Sequence, residues 1–187
     1  MHKYLPNLFA FLDEYEKNIF QNNITNLGII YRNYDQFDRR NELIKIARAC
    51  RKKRYKLFVS NSIKLAMEVK ADGVYIPSFN KSQNFINHSN KNLIIIGSAH
   101  NQMEIYQKIQ QNCKAIFLSP IFQVKKNKKY LNIYKFNSLS RGKKIRFIAL
   151  GGINNKNIQK LNLLTNVKGF AGISIFKKKP AFKRPVF

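Results

Sequence analysis

Eight short apolar runs, each followed by a polar or amphipathic stretch, set the strongest limit on what this 187-residue chain can become. They fall at residues 8–12, 26–32, 55–60, 73–77, 92–97, 115–120, 145–150 and 169–173. Runs this short and this continuously apolar read as strands buried on both faces. That is the mark of a parallel sheet covered by helices. The intervals carry helical spacing. Over 36–53, Leu43, Ile44, Ala47 and Cys50 share a face; over 62–69, Ile63, Leu65, Ala66 and Val69 are available to pack. Over 102–111, Met103 and Tyr106 lie on one side with Ile105 or Ile109. Shorter helices are expected at 14–20, 133–139 and 155–164, while 81–90 is polar and offers at most a short one. Pro77 closes the fourth strand, because proline cannot donate to a ladder.

Eight alternating strand–helix units favour an α/β fold closed as a small (β/α)8 TIM barrel over an open, doubly wound sheet. The length suits a single domain. The barrel is expected over 1–176, followed by a loosely held basic tail over 177–187 with two prolines. No G-x-G-x-x-G fingerprint and no Walker A loop is present, which weighs against dinucleotide or P-loop chemistry.

The seventh strand carries the clearest chemical signal. Phe147-Ile-Ala-Leu-Gly-Gly-Ile-Asn154 is an apolar strand running into a glycine pair and then a helix-capping residue. Adjacent glycines adopt positive φ and admit a ligand close to the backbone, and amides at a following helix start suit a phosphate. About twenty residues on, Gly169-Phe-Ala-Gly-Ile-Ser-Ile-Phe176 repeats the theme. Two such strand ends late in the chain match the phosphate site after strands 7 and 8 of a (β/α)8 barrel. The competing reading is a strand–turn–helix whose glycines serve packing alone.

Charge is high and uneven. The net charge is +26, Glu104 is the last carboxylate, and 19 Lys or Arg follow it. Such a field attracts phosphorylated ligands. Nucleic acid is the less favoured partner. The excess of Lys, Asn and Ile reads as compositional drift, and only Tyr130 and Tyr134 interleave with the basic loop after strand six. No apolar run reaches the ~18 residues of a membrane span. No apolar leader precedes Asp13 and Glu14, and Cys50 and Cys113 form no pairing pattern. The expectation is a cytoplasmic chain with reduced, structural thiols.

Read together, the strand ends resemble the thiamine phosphate synthase/TenI family. The resemblance rests on Tyr31-Arg32, Val59-Ser-Asn61, Leu65-Ala66, Ala71-Asp-Gly-Val-Tyr-Ile76, Gly97-Ser-Ala-His100, Ser119-Pro-Ile-Phe122, Ala149-Leu-Gly-Gly-Ile153 and Gly169-Phe-Ala-Gly-Ile173, in order from the second strand to the end. It implies a TIM barrel and a transferase. Hydroxymethylpyrimidine diphosphate and thiazole phosphate would be joined to thiamine phosphate, with diphosphate leaving under Mg²⁺ assistance. The chemistry needs cations on the leaving group and positioned partners more than a general base. Residue by residue, the resemblance makes Arg32 the diphosphate grip and Asn61 the Asn of an Asn-Asp pair. Ser98 becomes the serine after strand five; Gly151, Gly152, Ile173 and Ser174 become the thiazole-phosphate cradle. On the residues alone, Arg32 equally reads as a strand-end ion pair with Asp35 or Asp38, and Asn61 as a helix N-cap.

Other positions depart from the family's pattern. Ile30 and Tyr34 replace the glutamine and lysine flanking Arg32. Ser62 and about Asn80 replace two metal aspartates, and a hard Mg²⁺ ion wants carboxylates. Asp72 precedes a strand, at the wrong barrel end. The tautomerase histidine of the TenI branch is replaced by Ser119-Pro120. No metal site is therefore expected from protein carboxylates, and Lys125 and Lys126 become candidate diphosphate contacts in its place. His100 is a weak candidate acid or base, or simply a helix-start histidine bonded to backbone. Two functions remain open: a synthase with degenerate metal ligands, or a non-catalytic or regulatory barrel binding phosphorylated ligands.

Overall fold

Alternation along the strands decides the architecture. In β1 (Leu8–Leu12), Phe9 and Phe11 belong to one apolar cluster, while Leu8, Ala10 and Leu12 belong to another. The same split recurs in β2 (Leu27–Tyr31), β3 (Lys56–Ser60), β4 (Gly73–Ile76), β5 (Ile94–Ala99), β6 (Ala115–Leu118), β7 (Arg146–Leu150) and β8 (Phe170–Gly172). A period of two with both faces apolar requires cover on both sides. The computed structural model supplies it as a closed barrel, β1 through β8 in order, every pair parallel and β8 returning to β1. It describes residues 4–22, 24–33, 39–86, 93–124, 129–172 and 174–176. The expected TIM barrel is thus the observed fold.

Aromatic rings fill the interior. Phe9 and Phe117 meet edge to face at 4.9 Å, Phe11 and Tyr75 at 5.3 Å, and Tyr75 and Phe117 at 5.7 Å. Edge-to-face pairs suit the ring quadrupole and add to area burial. Gly28 is part of this fit, since a Cβ there would lie 2.5 Å from the Phe9 ring. Leu5 closes the bottom of the same cluster.

The helices are α1 (Lys17–Gln21), α2 (Arg39–Lys53), α3 (Ile63–Glu68), α4 (Gln102–Gln110) and α5 (Asn132–Ser140). On α2 the buried side chains are Leu43, Ile46, Ala47 and Cys50, and Ile44 packs against them half-buried, so Ile46 joins the expected face. On α4 the correction is larger. Met103, Tyr106 and Ile109 are exposed, and the buried face is Ile105 with Lys108. The helix expected at 155–164 is a 3-10 segment over Ile158–Leu163. Ahead of it Asn154 Oδ1 accepts from Lys156 N, and Asn157 Oδ1 accepts from Asn154 N.

No helix packs over 77–86 among the described residues; a 3-10 turn at 83–86 runs there instead. Lys108 and Gln111 of the neighbouring unit bracket this segment. Lys108 Nζ donates to Asn80 O at 2.8 Å and to Gln111 Oε1 at 2.8 Å. Gln111 Nε2 donates to Asn80 O at 3.1 Å and Ser82 O at 2.8 Å. Lys108 is fully buried and faces neutral oxygens, and desolvation pushes its pKa down.

Candidate functional site at the strand C-termini

Inward-pointing positions continue past the strand ends and line a cleft of about 550 Å³. Ile96 is core, Ser98 follows it at the mouth and His100 at the rim. Phe117 leads in the same way to Ser119, Ile148 to Leu150, and Ile30 to Arg32. Asp13 and Tyr75 complete the wall, with Ser78 and Phe79 on the loop after β4. Ligand sites of (β/α)8 barrels lie at this end. Asp72 lies at the other: its carboxylate takes Lys56 Nζ at 2.7 Å and Leu57 N at 3.0 Å, as expected for a residue before a strand.

Arg32 reaches the mouth from the end of β2. It is ion-paired with Asp13, a residue outside the expected pair. Its Nε and Nη2 meet Asp13 Oδ1 and Oδ2 at 3.1 and 3.2 Å, and its guanidinium lies 5.6 Å from the Phe11 ring centre. Asp35 and Asp38 lie outside the described residues. Asp13, one residue past the expected first strand, is not among the site residues read from the sequence. The signal for it is register: Leu12 pairs with Tyr31, which brings the next residues of both strands side by side.

Ser98 stands within β5, opposite Phe117, rather than after it. The strand starts at Ile94, two residues later than expected, and so runs through Ala99. Asn61 is not the cap of α3. Ser62 is, its hydroxyl accepting from Leu65 N at 3.3 Å. Asn61 precedes it at φ 58°, donates its amide to Tyr75 O at 2.9 Å, and accepts through Oδ1 from Asn80 Nδ2. Asn80 Oδ1 accepts in turn from Ser82 N at 2.8 Å. The positions of an Asn and a metal aspartate in the resembling family therefore do meet here, as two carboxamides bonded to each other. With Ser62 occupied as a cap, this neutral donor set does not fit a hard divalent ion. Among the described residues no three His, Cys, Asp or Glu converge as ligands.

His100 is bonded to backbone, as the second of its two readings has it. Its Nδ1 lies 2.7 Å from Ser119 O and its Nε2 3.1 Å from Ser78 Oγ. Donation from Nδ1 to the carbonyl fixes Nε2 as the acceptor of the Ser78 hydroxyl, an oriented imidazole at the cleft wall. Glu104 Oε2 accepts the His100 backbone amide at 2.8 Å, so the residue also belongs to the start of α4.

Leu150 connects the cleft to the glycine turn. Gly151 and Gly152 have φ of 93° and 73°, where a side chain is strained. A Cβ on Gly152 would lie 2.5 Å from Phe122 O, and one on Gly151 2.7 Å from Pro120 Cβ. The pair therefore serves packing against the chain after β6 as well as any ligand. Among the described residues no acceptor takes the Gly152 or Ile153 amide. Asn157 Nδ2 holds Gly152 O at 2.8 Å and steadies the turn. Ser174 opens a 3-10 turn over Ser174–Phe176. Ile173, Lys125, Lys126 and the tail at 177–187 lie outside the described residues.

Residues 17–176 match the family model described as thiamine monophosphate synthase. A putative thiamine-phosphate synthase 2 from Aquifex aeolicus is 30% identical over 185 residues, 92% of this chain and 98% of that protein. A thiamine-phosphate synthase from Prochlorococcus marinus is 32% identical over 127 residues, 66% of this chain but 36% of its own length. The chain thus spans about a third of that relative. The fold matches a thiamine phosphate pyrophosphorylase from Pyrococcus furiosus with a TM-score of 0.73 at 19% identity, over 92% of this chain and 88% of the other. No helix among the described residues is long and apolar enough to cross a membrane.

Proposed function

Because this chain belongs to the thiamine monophosphate synthase family, we propose that its strand-end cleft takes hydroxymethylpyrimidine diphosphate and thiazole phosphate and joins them into thiamine phosphate and diphosphate. One observation carries this reading. A single cleft has a guanidinium, Arg32, on one wall and on another Leu150, leading into a glycine turn with open amides. The pyrimidine C–O bond to diphosphate breaks, the electron pair leaves with diphosphate, and the thiazole nitrogen attacks the carbon left behind. Arg32 offsets charge on the leaving group through two parallel hydrogen bonds once Asp13 yields it. The amides of Gly152 and Ile153 hold the thiazole phosphate, and the family resemblance adds Ile173 and Ser174 to that role. Phe79, exposed on the loop after β4, offers a ring face to the pyrimidine. His100 and Ser98 supply polar positioning from β5, and Lys125 and Lys126 add point charge from the loop after β6. No step is routed through Mg²⁺, because Asn61, Ser62 and Asn80 do not fit it.

That same carboxamide pair favours a second reading, a regulatory barrel that binds both ligands and leaves them unchanged. The experiment is direct: incubate the full chain with both substrates, with and without Mg²⁺, and follow thiamine phosphate by chromatography and ligand binding by calorimetry. Product supports the synthase. Saturable binding of both ligands without product supports the second reading, and binding of neither removes both.

A further inference from the structure

The other end of the barrel holds a cleft of about 830 Å³, larger than the one at the mouth. It lies beneath the segment that plugs the barrel at Leu5, between the turn after α4 and the turn before β7. Lys114, Lys143, Lys144 and Arg146 converge on it. No carboxylate lines it, and none of the four is ion-paired among the described residues. Asp72, also before a strand at this end, is already held by Lys56. Four like charges around one concavity repel one another, and an anion of matching charge relieves that repulsion. The rest of the wall is apolar apart from Asn112, whose Oδ1 accepts from Lys114 Nζ at 3.2 Å. The Tyr4 ring is 52% exposed and Ile109 41%. The Tyr4 hydroxyl accepts from Asn26 Nδ2, which fixes the ring.

We propose that this cleft is a second anion site, separate from the mouth, that takes a nucleoside triphosphate. A triphosphate carries about four negative charges near neutral pH, equal to the four cations present. The volume falls in the range of small-ligand pockets, roughly 300–1,000 Å³, and the half-exposed Tyr4 ring offers one flat face to one base. A single concavity with a single ring suits a free nucleotide better than a strand of RNA, which needs a track with several rings.

The test is calorimetric titration of the full chain with adenosine triphosphate, inorganic tripolyphosphate and a ten-nucleotide single-stranded RNA. Lys114→Ser/Lys144→Ser/Arg146→Ser should weaken triphosphate binding at least about tenfold. A control lacking Lys52, Lys53 and Lys64 should leave it unchanged. Adenosine triphosphate should bind more tightly than tripolyphosphate, and Tyr4→Ala should erase that difference. Should the triple variant not fold, single Lys144→Ser and Arg146→Ser variants, both exposed, carry the same comparison through a several-fold loss each. Equal weakening by the control would reduce the site to a general field and overturn the proposal. So would unchanged triphosphate affinity in the folded triple variant, or RNA binding that the triphosphate does not displace.

Discussion

Arg32 and Asp13 hold each other through two parallel hydrogen bonds, 3.1 and 3.2 Å long, across the ends of β1 and β2. The guanidinium proposed to grip a diphosphate thus already has an anionic partner of matching geometry, and a ligand must displace it. Asp13→Asn removes the competing charge. Pyrophosphate affinity in Mg²⁺-free buffer should rise several-fold in that variant and fall in Arg32→Ala, read by calorimetry. The pair is substantially exposed, so unfolding free energy should move by no more than about 1 kcal/mol. Unchanged pyrophosphate affinity in both variants would remove Arg32 from the site.

Asn61 and Asn80 make the second prediction. Their side chains meet where the resembling family places metal-binding residues, and the adjoining Ser62 caps α3. Aspartate caps a helix as well as serine does, so Ser62→Asp costs little stability. The double variant Ser62→Asp/Asn80→Asp places two carboxylates beside Asn61. It should bind pyrophosphate more tightly when Mg²⁺ is added, whereas the native chain should show the smaller response. An equal Mg²⁺ response in both would mean that the ligand alone recruits the ion.

The strands were legible because burial on both faces writes an apolar run that few other structures produce, and Leu8–Leu12 matches to the residue. The helix expected at 155–164 was legible only in part: a 3-10 segment over Ile158–Leu163 stands there, with Ile158 and Leu161 as its buried side chains. On α4 the apolar period pointed to Met103 and Tyr106 with Ile105 or Ile109, yet only Ile105 of these is buried, and Lys108 is buried with it. A helical period cannot announce that the facing segment, at 80–82, offers carbonyls instead of an apolar helix. Arg32 was legible as a site residue and Asp13 was not, since their pairing is set by strand register. The meeting of Asn61 with Asn80 was likewise hidden, since it joins the ends of two different strands.

Cys113 supplies a pH test. Burial, opposed in part by the nearby Lys108 ammonium, pushes its thiol up to about 12 from 9.0. Above pH 9 the unfolded thiol ionises while the folded one keeps its proton. The native state then binds more protons, so stability falls as pH rises. Cys113→Ala removes this penalty. Relative to the native chain it should gain about 1.4 kcal/mol per pH unit between roughly pH 9 and 12. The measurement is urea unfolding at pH 8, 9 and 10. A difference between the two proteins that stays flat across that range would place the thiol in contact with solvent.

Gly152 and Asn157 separate the two uses of the glycine turn. Gly152→Ala places a Cβ 2.5 Å from Phe122 O and 2.7 Å from Gln123 O, both backbone atoms, at a φ of 73°. The chain after β6 must shift, so this variant should lose about 1–3 kcal/mol of stability together with any phosphate affinity. It therefore cannot by itself distinguish a ligand cradle from a packing glycine. Asn157→Ala can. It deletes the donor to Gly152 O and the acceptor of Asn154 N while leaving the glycines and their contacts in place. The turn loosens and the amides of Gly152 and Ile153 lose their fixed direction, at a cost of about 1 kcal/mol for a half-buried polar clamp. If those amides receive a phosphate, Asn157→Ala should weaken thiazole-phosphate binding several-fold and leave pyrophosphate binding, carried by Arg32, as it was. Equal affinity for thiazole phosphate in the native and Asn157→Ala proteins, with both folded by thermal melt, would leave the glycine pair a packing device alone.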